Sequence, residues 1–252
     1  METMSRAPRH PALVGLVASL WVSARSSADD HETILPSGRA QVVIDGDRGG
    51  SLLVGPHTRP SVVRPSTFAA GMSLSGVGLH ALCRAPVREL LDEMVDAGDV
   101  WEREQWGRGL DTAGPSEILD CLEHEALRHV RVDRDLDRQV IAVERAIRGG
   151  ARHDMVAAMV GVDRRRLVPA FRETVGLAPK QYQRIVRFQH SLRAMRTATP
   201  APLATIAATL GYADQAHLSR DFKEFSGLTP SQVHGATSTA HNHVRIEPQR
   251  SR

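Results

Sequence analysis

At 252 residues the chain is long enough for two domains of ordinary size, and its formal charge of +3 makes it only mildly basic. The charge is unevenly spread: residues 1–140 carry 15 Lys and Arg against 21 Asp and Glu, and residues 141–252 carry 17 against 8, which points the second half alone at nucleic acid. Cys83 and Cys121 are too few and too scattered for a disulfide framework or a four-cysteine zinc site, and they fit a reducing cytoplasm.

In chain order, Arg6, Arg9 and His10 precede an apolar stretch over residues 11–22, and Val22-Ser23-Ala24 has the small residues of a signal cleavage site. The same stretch is equally a buried strand carrying Trp21, and a nucleic-acid-binding half has no use outside the cell. No apolar run approaches a membrane span, so no membrane partner is expected. Residues 13–22, 32–35, 40–44 and 51–54 are short apolar or alternating runs. Ser-Ala-Asp, Pro-Ser-Gly, Asp-Gly-Asp and Gly-Gly turns separate them, the pattern of a sandwich or barrel. The period then becomes helical. Val87, Leu90, Leu91 and Met94 stripe a helix after Pro86, and Ile118, Leu119, Leu122 and Val130 stripe another after Pro115.

His31, His57 and His80 lie in this half without His-x-His or His-x-x-x-His spacing, whereas His241 and His243 have that spacing in a polar tail. Surface or hydrogen-bonded histidines are the plain reading and a metal site the alternative, which needs ligands converging on one ion. Paired carboxylates, a Ser/His/Asp set and a glycine-rich phosphate loop do not stand out. Neither an enzyme nor a cofactor is expected.

The second half is helical throughout. Val140, Val143 and Ile147 stripe residues 137–148, which end at Gly149-Gly150. Residues 153–160 supply a short helix, Gly161 a turn, and Asp163 the cap of a further helix that begins with Arg164, Arg165 and Arg166. Pro179 suits the first turn of a connector helix striped by Tyr182, Ile185, Phe188, Leu192 and Met195, which residues 199–202 break. Leu203, Ile206, Ala207 and Leu210 then form another short amphipathic helix, Gly211 the turn, and Asp214 the cap of a last long helix. Leu218, Phe222 and Phe225 face inward from it. Gln215, Ser219, Arg220 and Lys223 share a different face, with Ala216 beside them. This is a helix-turn-helix pattern, in which Gln can bond adenine and Arg guanine along the major groove. A plain helical hairpin with a solvated face fits the same stretch.

Asp163-Arg-Arg-Arg-Leu-Val-Pro-Ala-Phe and Asp214-Gln-Ala-His-Leu-Ser-Arg-Asp-Phe repeat 51 residues apart, each followed by Gly-Leu and then Pro. Two such units joined by a helix, with Gly211-Tyr212, Ser219-Arg220-x-Phe222-Lys223 and Gly227-x-Thr229-Pro230 in the second, resemble the DNA-binding domain of the AraC/XylS family of bacterial transcription regulators. The resemblance covers residues 137–233. It implies a sequence-specific regulator reading two successive major grooves, with heads about 34 Å apart. More loosely, the run ending in Trp21, the His31…Ile34-Leu35-Pro36-Ser37-Gly38 turn and Gly55-Pro56 resemble a cupin-like sensor half, where residues 76–79 would be a strand leading to the first helix. One position departs from the family. Pro169 stands where Arg220 stands in the second unit, and there it removes a helix bond at a cost of about 3 kcal/mol, so a kinked first recognition helix is expected. Arg164–Arg166 then hold phosphates, reach a base or form a solvated basic turn.

The expectation is an α+β protein: a β-rich, cupin-like domain with helices over 1–132, an all-α tandem helix-turn-helix domain over 133–236, and a disordered tail over 237–252. Its partner is double-stranded DNA, with a small-molecule effector, a homodimer mate and RNA polymerase left open. A non-specific or architectural DNA binder, and a cupin-like metal enzyme fused to a DNA-binding module, are the alternatives.

Overall fold

The computed structural model describes residues 2–26, 31–83, 86–101, 113–131, 135–152, 155–156, 161, 163–197, 201–235, 237–240 and 243–245. A six-stranded antiparallel sheet is built from β1 (Glu2–Arg6), β2 (Val17–Ala24), β4 (Ala40–Asp45), β5 (Gly50–Val54), β7 (Phe68–Leu74) and β8 (Met94–Asp96), in the order β1-β2-β7-β4-β5-β8. Strand alternation sorts its residues cleanly. Leu20, Val22, Ala40, Val42, Leu53, Ala70, Met72 and Leu74 face a core covered by α1 (Gly76–Cys83) and α3 (Pro115–His129), which contribute Leu79, Leu82, Ile118, Leu119 and Leu122. Trp21, Ser23, Gln41, Val43, Asp45, Leu52 and Val54 take the opposite face. Gly71 is needed there, because a Cβ would lie 2.2 Å from the Val42 carbonyl oxygen and 2.9 Å from the Trp21 ring.

A second sheet, β6-β3-β10-β9, uses β3 (Glu32–Ile34) and β6 (Ser61–Val63) with two strands from the other end of the chain, β9 (Thr237–Ala240) and β10 (His243–Arg245). These two strands fall within the tail expected over 237–252, whose other residues lie outside those described. His243 and Val244 pair with Ile34 and Thr33, because β3 would otherwise present an open edge of unpaired backbone groups. The segment has no helical stripe, but its Thr237, Thr239 and Val244 suit a strand.

Two expectations are corrected. The stripe through Val87 and Leu90 makes one 3₁₀ turn (Val87–Leu90) and not a helix, and Met94 begins β8. Asp92 stops the helix: its backbone is left-handed, at φ 60°, while its carboxylate accepts bonds from the backbone N–H (2.7 Å) and hydroxyl (2.6 Å) of Thr58. Residues 76–79 are the first turn of α1 and not a strand. The donors of that turn are taken by the Ser75 hydroxyl, which accepts from Gly78 N–H (2.9 Å), and by the Glu144 carboxylate, which accepts from Gly76 N–H (3.1 Å) and Val77 N–H (3.4 Å). Elsewhere the N-terminal strand run begins later than its apolar pattern, after a 3₁₀ turn (Pro11–Leu13), and α3 follows Pro115 as expected.

Between residues 135 and 235 the regular elements described are helices: α4 (Asp135–Arg148), α5 (Arg164–Val175), α6 (Pro179–Met195), α7 (Leu203–Thr209), α8 (Gln215–Ser226) and α9 (Pro230–Gly235). Of the first helix expected over 153–160, residues 155 and 156 are helical, and the remaining residues lie outside those described, as does the expected boundary at 132–133. α2 (Ala97–Val100) is a single turn that seats Trp101, whose ring N–H donates to the Leu82 carbonyl (3.0 Å).

The halves share a core. Leu16, Leu35, Val77 and Ala81 of the first half are buried in one cluster with Val140, Val143, Phe171, Val175, Tyr182 and Ile185 of the second. Glu144, 3% exposed, lies at the centre of this seam, also accepting from the Tyr182 hydroxyl (2.7 Å). Arg148 stacks on the Tyr182 ring and donates to the Gly38 carbonyl (2.9 Å), while Gln189 donates to the Pro36 carbonyl (2.6 Å). The expectation from these contacts is that Glu144→Ala lowers unfolding free energy by about 3 kcal/mol, since the α1 amides and the Tyr182 hydroxyl lose their shared acceptor. Tyr182→Phe should lose only about 1 kcal/mol. Urea unfolding of both variants measures this, and equal losses would place the effect in packing.

Candidate nucleic-acid interface

The second helix-turn-helix unit is α7, a turn and α8. Gly211 makes the turn at φ 72°, where a Cβ would be strained, and the Asp214 carboxylate caps α8 by accepting from His217 N–H (2.6 Å). Gly227, left-handed at φ 73°, ends α8. Leu218, Phe222 and Phe225 are buried against α6, where Phe188 meets Phe222 edge-on with ring centroids 5.0 Å apart. Gln215, Ala216, Arg220 and Lys223 are exposed and Ser219 is half-buried, so the five residues expected to meet DNA share the outward side of one capped helix. Lys223 also donates to the Gly227 carbonyl (2.8 Å), closing the helix C-terminus.

α8 is held in place by a contact that the sequence pattern did not reveal. Asp221, 1% exposed, accepts from Arg184 (2.7 Å) and Arg187 (3.2 Å) of the connector α6. Arg187 also covers the Tyr212 ring at 3.9 Å and donates to the Gly211 carbonyl (3.2 Å), so it touches both the turn and the helix beyond it. Arg184 adds a bond to Glu224 (2.6 Å), and these acceptors hold its charge more tightly than usual. A carboxylate three residues from Leu218 on the inward stripe, opposite arginines spaced i, i+3 on the connector, was the available signal.

Unit one reproduces the duplication in three dimensions. Asp163 caps α5 by accepting from Arg165 N–H (2.8 Å), Gly176 ends it at φ 79°, and Leu167 and Phe171 are buried where Leu218 and Phe222 are. Phe171 meets Tyr182 of α6 edge-on at 5.4 Å, so one aromatic residue of the connector holds each unit. α5 continues through Pro169 to Val175. Pro169 and Arg165, between which the missing bond falls, are both exposed, where water can take the orphaned carbonyl. Arg165 and Arg166 are exposed, and Arg164 begins the helix.

The units differ in what holds them. Ala170 replaces the buried Asp221 in the repeat, and Glu173, the counterpart of Glu224, pairs with Arg88 of the N-terminal half (2.5 Å). Val175 and Gly176 lie against Gly76 and Val87. Unit one is seated on the first half, and unit two on the connector.

Between the two sheets of the first half is a cavity of about 470 Å³. Its walls are largely apolar, from Trp21, Val43, Leu52, Val54 and Val63. Four of its charges form two pairs: Arg25 with Glu32, and Arg48 with Asp45 (2.7 Å). Arg39 and Arg64 also line it, and the Arg39 guanidinium has both the Arg148 cation and the Glu144 carboxylate as electrostatic neighbours. Burial first, then the neighbouring Arg148 cation, push the Arg39 guanidinium down to about 10, which leaves it charged at neutrality. His57 lines the cavity with Nδ1 2.9 Å from the Gly55 carbonyl. No three His, Cys, Asp or Glu side chains among the described residues converge as metal ligands, and no helix among them is long and apolar enough to cross a membrane.

A tandem helix-turn-helix DNA-binding fold is therefore defined over the second half. Residues 156–235 match the helix-turn-helix domain family, and residues 5–96 match a domain of unknown function, DUF6597. An AraC-like transcription regulator of Streptomyces antibioticus is 36% identical over 75 residues, covering 30% of this chain and 24% of that protein. An uncharacterized HTH-type transcriptional regulator of Haemophilus influenzae is 26% identical over 106 residues, covering 42% and 35%. The C-terminal half is an AraC-type helix-turn-helix domain. The matched stretches span between a quarter and about a third of those relatives' lengths. Among solved structures, ToxT from Vibrio cholerae covers 93% of this chain and 98% of its own at a TM-score of 0.41 and 13% identity. The xylose-binding transcription activator XylR covers 41% and 27% at 0.35 and 19%. At these scores neither likeness says anything about ligand or mechanism.

Replacing Asp221 should test the clamp. Asp221→Ala leaves Arg184 and Arg187 facing an apolar contact and should cost about 3–5 kcal/mol, the range for one partner of a buried pair. Ala170→Asp in unit one, where α6 offers no such arginine pair, should not be stabilising. Thermal unfolding reads both, and a loss under about 1 kcal/mol for Asp221→Ala would show water substituting for the carboxylate.

Proposed function

We propose that this protein is a sequence-specific transcription regulator whose two helix-turn-helix units enter adjacent major grooves, and whose N-terminal half controls them in response to a small molecule. The single observation carrying the DNA-reading part is the outward face of α8. Gln215, Ser219 and Arg220 project from a capped helix fixed at both ends of its inner face, with Lys223 at its last turn. Preorganised donors and acceptors on a rigid helix are what base-edge recognition requires. Support for control is the cavity between the sheets and the seam that joins its Arg39 end to α4 and α6.

The two heads are unequal in this reading. Unit two reads sequence. Unit one offers Val168, which has no hydrogen-bonding side chain, and Pro169 at the positions of Ser219 and Arg220, and it contributes phosphate contacts through Arg164, Arg165 and Arg166. The domain division near residue 133, which rests on the change of charge, periodicity and repeat structure there, belongs to the same proposal, as do a homodimer mate and contact with RNA polymerase.

The test is a base-by-base substitution scan of a bound operator with wild-type and variant protein. Arg220→Ala should cost about 1–3 kcal/mol and relax preference at one position under unit two. Lys223→Ala should weaken binding evenly and lower the salt slope by about one. Pro169→Arg should keep the fold and not weaken binding. Sensitivity under unit one equal to that under unit two would overturn the inequality. Uniform affinity over all sequences, with strong salt dependence, would make the protein a non-specific or architectural binder.

A further inference from the structure

The second sheet joins distant parts of the chain. β9 and β10 follow α9, which comes after the recognition helix of unit two, and β10 pairs with β3 of the first half, His243 opposite Ile34 and Val244 opposite Thr33. Only one residue separates Gly235, where α9 ends, from Thr237, where β9 begins, so the connection has little slack. α9 is itself packed on α8: Val233 is buried in the same cluster as Phe222 and Phe225. The hairpin therefore ties unit two to the first half by a path that does not pass through α6.

The tie is weak where it lands. Among the described residues two pairs hold β10 to β3, against five between β4 and β5. The register of β10 on β9 also slips between His243 and Val244. Pairing this short opens at a far lower free energy than the core sheet does. We infer that the hairpin is an autoinhibitory strap: docked on β3 it restrains unit two, and its release lets unit two bind DNA more tightly. This rests on the DNA-binding reading above and requires nothing of the cavity.

Two features set the sign. Unit one is already seated on the first half, through Glu173 on Arg88 and Val175 on Gly76. With β10 docked, unit two is held to the same body, and any adjustment of its head to a second major groove must break the pairs with β3. The half on which the strap lands is also acidic, with 21 Asp and Glu against 15 Lys and Arg over residues 1–140. Holding a basic head beside that charge opposes the approach of phosphates, and release relieves the opposition. By reciprocity, DNA bound to unit two loosens the strap.

The test uses the full chain and two duplexes, one that the wild type selects from a random-sequence pool and one with that sequence scrambled. Val244→Pro removes a backbone donor from a strand paired on both sides, β3 and β9, and should release the strap. It should bind the selected duplex about 5-fold or more tightly than wild type, the lower end of a typical coupling. Thr33→Cys with Val244→Cys, in a Cys121→Ser background, puts two thiols on directly opposed residues, about 5 Å apart at Cα and within disulfide reach. Its oxidised form should bind no more tightly than its reduced form. In the wild type, saturation with the selected duplex should speed amide hydrogen exchange in peptides carrying β3 and β10, relative to β4 and β7. That measurement needs no variant, so it stands even if Val244→Pro misfolds. Unchanged or weaker binding by a folded Val244→Pro, tighter binding on oxidation, or exchange that DNA leaves unchanged or slows would each overturn the strap. The scrambled duplex separates the two readings. A gain on both duplexes alike, with no preference in the wild type, upholds the strap and overturns sequence-specific reading. A wild-type preference for the selected duplex, with no gain in Val244→Pro, upholds that reading and overturns the strap.

Discussion

Much of this structure depends on where the Glu144 carboxylate sits. A buried carboxylate needs donors, and Glu144 finds them on three elements at once: the first turn of α1, the hydroxyl of Tyr182 on α6, and Arg148 one turn along α4. It supplies the acceptor that α1 lacks at its N-terminus, where the helix dipole also favours negative charge. That makes α1 a helix from Gly76 and ties the sheet domain to the connector of the DNA-binding half. Burial then raises the Tyr182 pKa, and the adjacent carboxylate raises it further, keeping its hydroxyl a donor.

This arrangement gives the two helix-turn-helix units different mechanical neighbours. Unit one packs on α1 and the Val87–Leu90 turn, and its Glu173 reaches Arg88. Unit two has its own clamp, Asp221 between Arg184 and Arg187, and touches the rest of the chain through α6. A change in the first half therefore meets unit one directly, and reaches unit two through α6 and through β10, which pairs with β3. Both units share one fold, yet the substitution of Asp221 by Ala170 in the repeat sends their polar contacts to different partners. Duplication supplied the frame, and a few charged positions diverged within it.

The helices of the second half were legible because their signals are local. Capping aspartates, left-handed glycines and apolar spacing act within a turn or two of the residues that carry them, and Asp163, Gly176, Asp214 and Gly227 all serve as their types predict. The outward face of α8 followed from the same spacing. The strand-rich first half was legible as a class through alternation and turn residues. Its second sheet was not, because β10 reaches β3 from 209 residues further along, and pairing at that separation leaves no mark on either segment alone.

By itself, then, the sequence determined the second unit's helices, the caps and inward stripes of both units, the outward face of α8 and the proline inside α5, all of them short-range consequences of residue type and spacing. Only the tertiary structure decided how far those units are independent. Asp221 becomes a clamp only because the fold places two arginines against it. Glu144 gains its donors only because the fold brings the α1 amide groups within reach. Arg39 joins the same group of charges only because the fold sets it beside Arg148 and Glu144 at the edge of the cavity. Each of these depends on which distant groups share a low-dielectric space, and that is a property of packing that no local pattern encodes.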